Sequence, residues 1–273
     1  FFFHPHPAIR DCLLSRGLGD VYKRQCKHSM KIANNPSPNY DVRKYRKIKY
    51  IIIHYTGMVT AKASIKRLRD KKSKVSCHYL IDGRGSLIRL VDDKDIAWHA
   101  GVSFWNSDRS LNKNSIGIEI QNKGAPSSYE KFKSKQIQRL IELILDLKNK
   151  YKVSDYHILG HSDISPDRKT DPGYLFPWAL LKKNNIGLLP SRKIARKKTL
   201  KNAEIPIVQA LLKKFGYQIQ ISGNMDLQTI LVLNAFQSHY IQNRVKNFLY
   251  DASIIPILRD LIAQKNRCLT KKN

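Results

Sequence analysis

Acidic residues are scarce in this chain. Its 273 residues include 21 Asp and Glu against 50 Lys and Arg, a net charge of +29. Long apolar runs are missing as well. The longest, such as Tyr50–Ile53, are strand-length, far short of the roughly 18–20 residues of a membrane span, so no transmembrane segment is expected. Cysteine is rare: four residues in a chain this long cannot serve as the framework of a disulfide-stapled scaffold. No basic stretch precedes a continuous apolar one, so no signal peptide is read at the start. What is present is material for a core. Apolar residues make up 42% of the chain, which excludes wholesale disorder, and the length suits one large or two ordinary domains. The charge points to an anionic partner: nucleic acid, an acidic membrane surface or an anionic cell-wall polymer.

The first 25 residues show no sustained helical or strand period. Ser15–Gln25 resembles translated sequencing-adapter read-through. Residues 1–25 are therefore set aside as non-native, and Met30 is the expected start.

Strands and helices alternate between residues 48 and 180, the pattern of an α/β domain. Lys49–Thr56 reads as a buried strand, and Ser115–Asn122 as a strand with Ile116, Ile118 and Ile120 on one face and Glu119 on the other. Ser76–Val91 reads as two strands around the turn Asp82-Gly83-Arg84-Gly85. Ser64–Lys72 suits a surface helix. Ser127–Glu130 has the form of a capping box ahead of a helix striped by Ile137, Leu140, Ile141, Ile144 and Leu147, ending near Tyr151. His157–His161 is a further short strand, followed by a Pro-restricted loop to Pro177. Residues 182–202 are basic and read as a linker. Residues 203–265 read as three helices, the first striped by Ile207, Val208, Leu211, Leu212 and Phe215 with Gly216 at its C-cap.

His54 closes a buried strand, Glu119 is a carboxylate among apolar neighbours, and His161 precedes a loop rich in Asp, Arg and Lys. Taken singly, each has an ordinary reading: a hydrogen-bonded structural histidine, a salt bridge, a polar turn. Together they offer more. A catalytic zinc site needs about three protein ligands and an open position for water. Two His and one Asp leave a net cation able to acidify that water. A nearby carboxylate would take the proton, and a nearby cation would meet charge developing on the substrate oxygen. No compact His-Glu-x-x-His motif is present, so spacing alone does not establish the site.

The stretches Ile51-Ile52-Ile53-His54-Tyr55-Thr56, Cys77-His78-Tyr79-Leu80-Ile81-Asp82, Ala97-Trp98-His99-Ala100-Gly101, Ser115-Ile116-Gly117-Ile118-Glu119-Ile120, Gly160-His161-Ser162-Asp163-Ile164 and Arg168-Lys169-Thr170-Asp171-Pro172-Gly173 occur in one order. In that order they resemble the zinc-dependent N-acetylmuramoyl-L-alanine amidases of the amidase-2 family, in its amidase D-like form, over about residues 45–181. The resemblance implies a mixed central sheet flanked by helices, the fold shared with peptidoglycan recognition proteins. It implies one Zn2+ held by His54, His161 and Asp171, with Glu119 as general base and Lys169 as oxyanion stabiliser. His99 and Trp98 would line the substrate cleft, with His78 structural. Trp105 is open to either sugar stacking or core packing. The implied substrate is peptidoglycan or its muropeptides, cut at the amide between N-acetylmuramic acid and L-alanine.

The C-terminal region resembles the three-helix peptidoglycan-binding domain 1 module through Gly216-Tyr217, Gly223, Thr229 and Phe236-Gln237, departing from it at Met225, Asp226 and Val232. The expected organisation is an amidase domain at 30–181, a basic linker at 182–202 and a peptidoglycan-binding-like domain at 203–265. On that reading, deleting residues 203–273 weakens activity on intact sacculi more than on soluble muropeptides. The alternative function is a non-catalytic peptidoglycan-recognition protein, a class that commonly lacks a zinc ligand. A nucleic-acid role rests on charge alone and matches no reading motif, so no nucleic acid is expected. A monomer is expected. The wall-binding-like region favours the bacterial envelope, periplasm or outer membrane, with the cytoplasm as the alternative.

Overall fold

The β-branched run at residues 50–55 forms the heart of a sheet because both of its faces are covered; Tyr50, Ile51, Ile52 and Ile53 are each fully buried. In the computed structural model, residues 30–44, 47–124, 130–191, 195, 198–242 and 250–270 are described. The suspect first 25 residues and Ser127–Tyr129 of the expected capping box lie outside them.

The strands are β1 (Ile32–Asn34), β2 (Tyr40–Val42), β3 (Tyr50–Tyr55), β4 (Tyr79–Ile81), β5 (Leu87–Arg89), β6 (Asp95–Ala97), β7 (Phe104–Trp105), β8 (Asp108–Arg109), β9 (Ser115–Ile120) and β10 (Ile158–Gly160). The helices are α1 (Ala61–Arg69), α2 (Ser134–Tyr151), α3 (His161–Ile164), α4 (Trp178–Lys183), α5 (Ile205–Phe215), α6 (Leu227–Tyr240) and α7 (Ile254–Thr270).

The main sheet has the order β1-β5-β4-β9-β3-β10. β4, β9, β3 and β10 run parallel, and β5 pairs antiparallel with β4. The sheet is thus mixed, as expected. The Asp82 carboxylate closes the β4–β5 turn by accepting from the Arg84 and Ser86 N–H groups, both at 2.8 Å. β2 and β6 form a separate antiparallel pair.

α1 starts at Thr60, whose hydroxyl accepts from the Ala63 N–H at 3.2 Å. α2 starts at Ser134, later than the sequence pattern suggested, where the Gln136 side chain accepts from the Lys133 N–H at 3.0 Å. Its buried stripe runs through Ile137, Leu140, Leu143, Ile144 and Leu147, with Leu143 in place of Ile141. Among the described residues no helix is long and apolar enough to cross a membrane.

The three C-terminal helices share one core with the sheet region. Tyr50, Trp105 and Tyr156 belong to the same buried cluster as Phe215, Tyr217 and Phe236. Trp105 is fully buried there, which resolves its two sequence readings in favour of core packing. The segment after α4 also contributes, through buried Leu188. In α5 the buried stripe is Ile205, Val208, Gln209, Leu212 and Phe215, while Ile207 is 44% exposed, contrary to its placement in the stripe.

Contact is closest at Gly216. A Cβ there would lie 2.5 Å from the Tyr156 hydroxyl and 2.9 Å from Trp105, and its φ of 150° suits glycine. The carbonyls ending α5 are received on this surface. Tyr156 donates to the Phe215 carbonyl, Asn106 N–H to Gly216 at 2.8 Å, and Lys265 Nζ to Lys214 at 2.8 Å.

Candidate active site

Three adjacent parallel strands deliver the chemistry from their C-terminal ends. His54 and Glu119 are directly paired across β3 and β9, so their side chains share one sheet face. Gly160, the last residue of β10, pairs with Ile53, and His161 follows it in α3. Ligands of open α/β sheets gather outside the carboxyl ends of strands. Here that region is a cleft of about 530 Å3. The segment after α3 reaches over it with Lys169 and Asp171, and Trp98 and His99 line it as well. The seven residues expected to hold metal, act in catalysis or meet substrate therefore border one cleft, while His78 and Trp105 do not.

Nδ1 of His54, Nδ1 of His161 and a carboxylate oxygen of Asp171 converge. The two nitrogens are 2.9 Å apart, and Oδ2 of Asp171 lies 3.1 Å from each. Hydrogen bonds behind the rings assign their protons. Ser115 donates its hydroxyl proton to the Leu111 carbonyl at 2.6 Å, so its oxygen accepts from His99 Nε2 at 3.1 Å. His99 Nδ1 must then accept from His54 Nε2, at 3.0 Å. His161 Nε2 faces the Ala100 carbonyl at 3.3 Å, which can only accept. With Nε2 as the donor behind each ring, both Nδ1 lone pairs are available to a cation beside the Asp171 carboxylate; without a metal ion, a proton has to bridge these 2.9–3.1 Å contacts.

Burial, aided by His161, pushes His54 down to about 4. Burial and then His54 hold His99 well below the usual imidazole range. Burial opposes the charge of Asp171, but the nearness of His161 and His54 overcomes it and keeps the carboxyl ionised well below its ordinary range. Two imidazole nitrogens and a carboxylate oxygen converging at these distances form a cation site, where a proton or a metal ion offsets their mutual repulsion. Their separations approach the roughly 3.3 Å edge of a tetrahedron with 2.0–2.1 Å bonds, and two imidazoles with one carboxylate suit zinc. The donor set therefore fits a metal ion.

Glu119 stands beside these donors. Its Oε2 is enclosed and has no hydrogen-bond partner among the described residues. Burial, and next the charge of Asp171, raise its pKa to about 8, while Lys169 pulls in the opposite direction. Trp98 is fixed at the cleft edge by its Nε1–H, which donates to Asp41 at 2.8 Å.

His99 is more than a cleft-lining residue, since it sits behind His54. Gly117 makes room for it: a Cβ there would come within 2.3 Å of the His99 ring. His78 is fully buried and accepts from the Gly117 N–H at 3.0 Å. Ser115 escaped the sequence reading. Its only signal was a position at the start of β9, which says nothing of a partner across the fold.

The N-acetylmuramoyl-L-alanine amidase family model, Amidase_2, matches residues 44–174. The N-acetylmuramoyl-L-alanine amidase AmiD of Escherichia coli strain K12 is 34% identical over 213 residues, 72% of this chain and 76% of its own length. A structure of E. coli AmiD in complex with the substrate anhydro-N-acetylmuramic acid-L-Ala-D-gamma-Glu-L-Lys superposes with a TM-score of 0.72 at 32% identity, covering 81% of this chain and 91% of that one. AmpDh3 of Pseudomonas aeruginosa in complex with anhydromuramic pentapeptide superposes with a TM-score of 0.67 at 26% identity, covering 85% and 96%. With its donor triad and half-buried Glu119 carboxylate placed at the strand ends, this chain belongs to the Amidase_2 family of N-acetylmuramoyl-L-alanine amidases.

Proposed function

We propose that this amidase hydrolyses the bond between the lactyl group of N-acetylmuramic acid and L-alanine using one zinc ion held by His54, His161 and Asp171. The observation that carries this reading is the convergence of two Nδ1 atoms and a carboxylate oxygen beside Oε2 of Glu119, which has no hydrogen-bond partner among the described residues. When bound, zinc supplies positive charge that acidifies a water and polarises the scissile carbonyl.

This chain's residues do the rest. Glu119, which burial raises to about 8 without metal, would be drawn down toward the neutral range by the charge of a bound cation, which suits a general base. Its carboxylate takes the proton of the attacking water and returns it to the departing alanine amine. Lys169 faces the same cleft and offset negative charge on the substrate oxygen is its role. Trp98 and the open side of His99 contact the substrate. The non-catalytic recognition reading is disfavoured, since the donor triad and Glu119 are all in place.

The C-terminal helices and the basic segment before them are assigned to holding polymeric peptidoglycan, whose stem carboxylates complement the charge of +29. That role favours the bacterial envelope. The resemblance to a wall-binding module supports it, although Tyr217, Phe236 and Gln237, which carry part of that resemblance, are buried.

The test uses the purified full chain and a soluble anhydromuramyl peptide. Chelation stops hydrolysis, zinc restores it, and Glu119→Ala retains zinc while losing turnover. Hydrolysis that survives complete metal removal would sink the reading.

A further inference from the structure

Asp163 lies two residues beyond His161 and is 1% exposed. Its Oδ2 accepts from the Gly160 N–H at 2.8 Å, closing the turn that presents His161. The other partners of this carboxylate come from the C-terminal helices. The Tyr217 hydroxyl donates to Oδ1 at 2.7 Å, and His239 Nδ1 donates to Oδ2 at 2.7 Å. His239 is itself 2% exposed and is held by stacking, its ring centroid 3.6 Å from that of Trp178 and 3.9 Å from that of Tyr240. The same turn holds the other ligand segment, because Ser162 N–H donates to the Asp171 carbonyl at 2.8 Å.

A sealed carboxylate is costly unless its oxygens are satisfied. Here one backbone N–H comes from the ligand turn, and both side-chain donors come from beyond residue 174, where the family model's match ends. Apolar packing alone would bury this contact without fixing its direction. Charge-assisted hydrogen bonds fix it, and ligand atoms must be held to within about 0.5 Å to act together.

We infer that Tyr217 and His239 are positioning residues: through Asp163 they set the orientation of the His161 turn, and so of two of the three metal donors. The C-terminal helices then complete the active site from behind, in addition to any contact with polymer. The inference rests on the metal reading above.

The full chain provides the test. Tyr217→Phe removes one hydroxyl and leaves the ring. His239→Phe keeps the stack and removes the donor. His239→Asn returns an N–H near the place of Nδ1. The readouts are the visible spectrum of the cobalt(II)-loaded protein, metal affinity by chelator competition, and kcat and KM on a soluble anhydromuramyl peptide. Both Phe variants are expected to bind metal roughly ten-fold more weakly, to shift the cobalt absorption, and to lower kcat at unchanged KM. The Asn variant moves each readout back toward wild type.

Wild-type cobalt spectra and affinities in the folded Phe variants would overturn the inference. Should His239→Phe fail to fold, Tyr217→Phe decides alone. A wild-type chain that takes up no metal overturns the metal reading instead. The coupling is then read from the His161 ring nitrogen shifts of metal-free protein, and identical shifts in wild type and Tyr217→Phe overturn it.

Discussion

His54 Nε2 donates to His99 Nδ1 at 3.0 Å, and that contact decides which nitrogen His54 keeps free. A ligating histidine depends on the group behind it for tautomer and ring orientation. Replacing His99 with Phe keeps the bulk facing Gly117 but removes the acceptor. Metal affinity is expected to fall about 10- to 100-fold, with kcat falling at saturating zinc. Chelator competition measures the first effect. An unchanged affinity would return His99 to the cleft wall alone.

Glu119 makes a second prediction, about stability. Folding raises its pKa from 4.5 to about 8, chiefly by burial. The folded state therefore holds this proton more tightly than the unfolded one. The carboxyl favours folding least above the folded value, and its penalty grows as pH rises from 4.5 toward 8. Gln is neutral throughout. Metal-free Glu119→Gln is thus expected to melt several degrees above metal-free wild type at alkaline pH, with the gap closing in acid. Equal melting temperatures across that range would mean the carboxyl remains solvated.

Lys169 lines the cleft, and its charge lowers the pKa of both Glu119 and His54. It is therefore within electrostatic reach of both side chains. Lys169→Ala should retain metal and bind substrate with little change in KM, while kcat drops on the order of 100- to 1,000-fold. A rise in KM with kcat intact would make it a substrate-binding residue instead.

The catalytic half was legible because its signals are local. A β-branched run marks β3, alternation marks β9, and each carries, one residue short of its end, a polar residue that the parallel ladder sets beside the other. The links behind the site were not legible. His99 meets His54 across 45 positions, and Asp163 meets His239 across 76. No periodicity relates such pairs. Helical stripes were read correctly except at one or two positions each: Ile207 and Ile141 fit the helical spacing as well as Ile205 and Leu143 do, and only the partner surface decides between them. Trp105 was ambiguous for a related reason. Its cover comes from Phe215 and Tyr217, in a region read as a separate domain.

That shared cover alters what removal of the C-terminal region should do. The sequence pointed to a module whose loss weakens action on sacculi selectively. In the structure, Phe215, Tyr217 and Phe236 complete the core around Trp105 and Tyr156. Removing residues 203–270 would expose that apolar surface and strip Asp163 of its side-chain partners. Activity should therefore fall together on soluble muropeptides and sacculi, with loss of solubility. A milder probe is Gly216→Ala in the full chain. The new methyl group would meet the Tyr156 hydroxyl at 2.5 Å and Trp105 at 2.9 Å, at a φ of 150°. Overpacking of this kind costs about 1–3 kcal/mol, so the melting temperature should drop by several degrees and remain a single transition. Two separate transitions would show that the helices fold independently of the sheet.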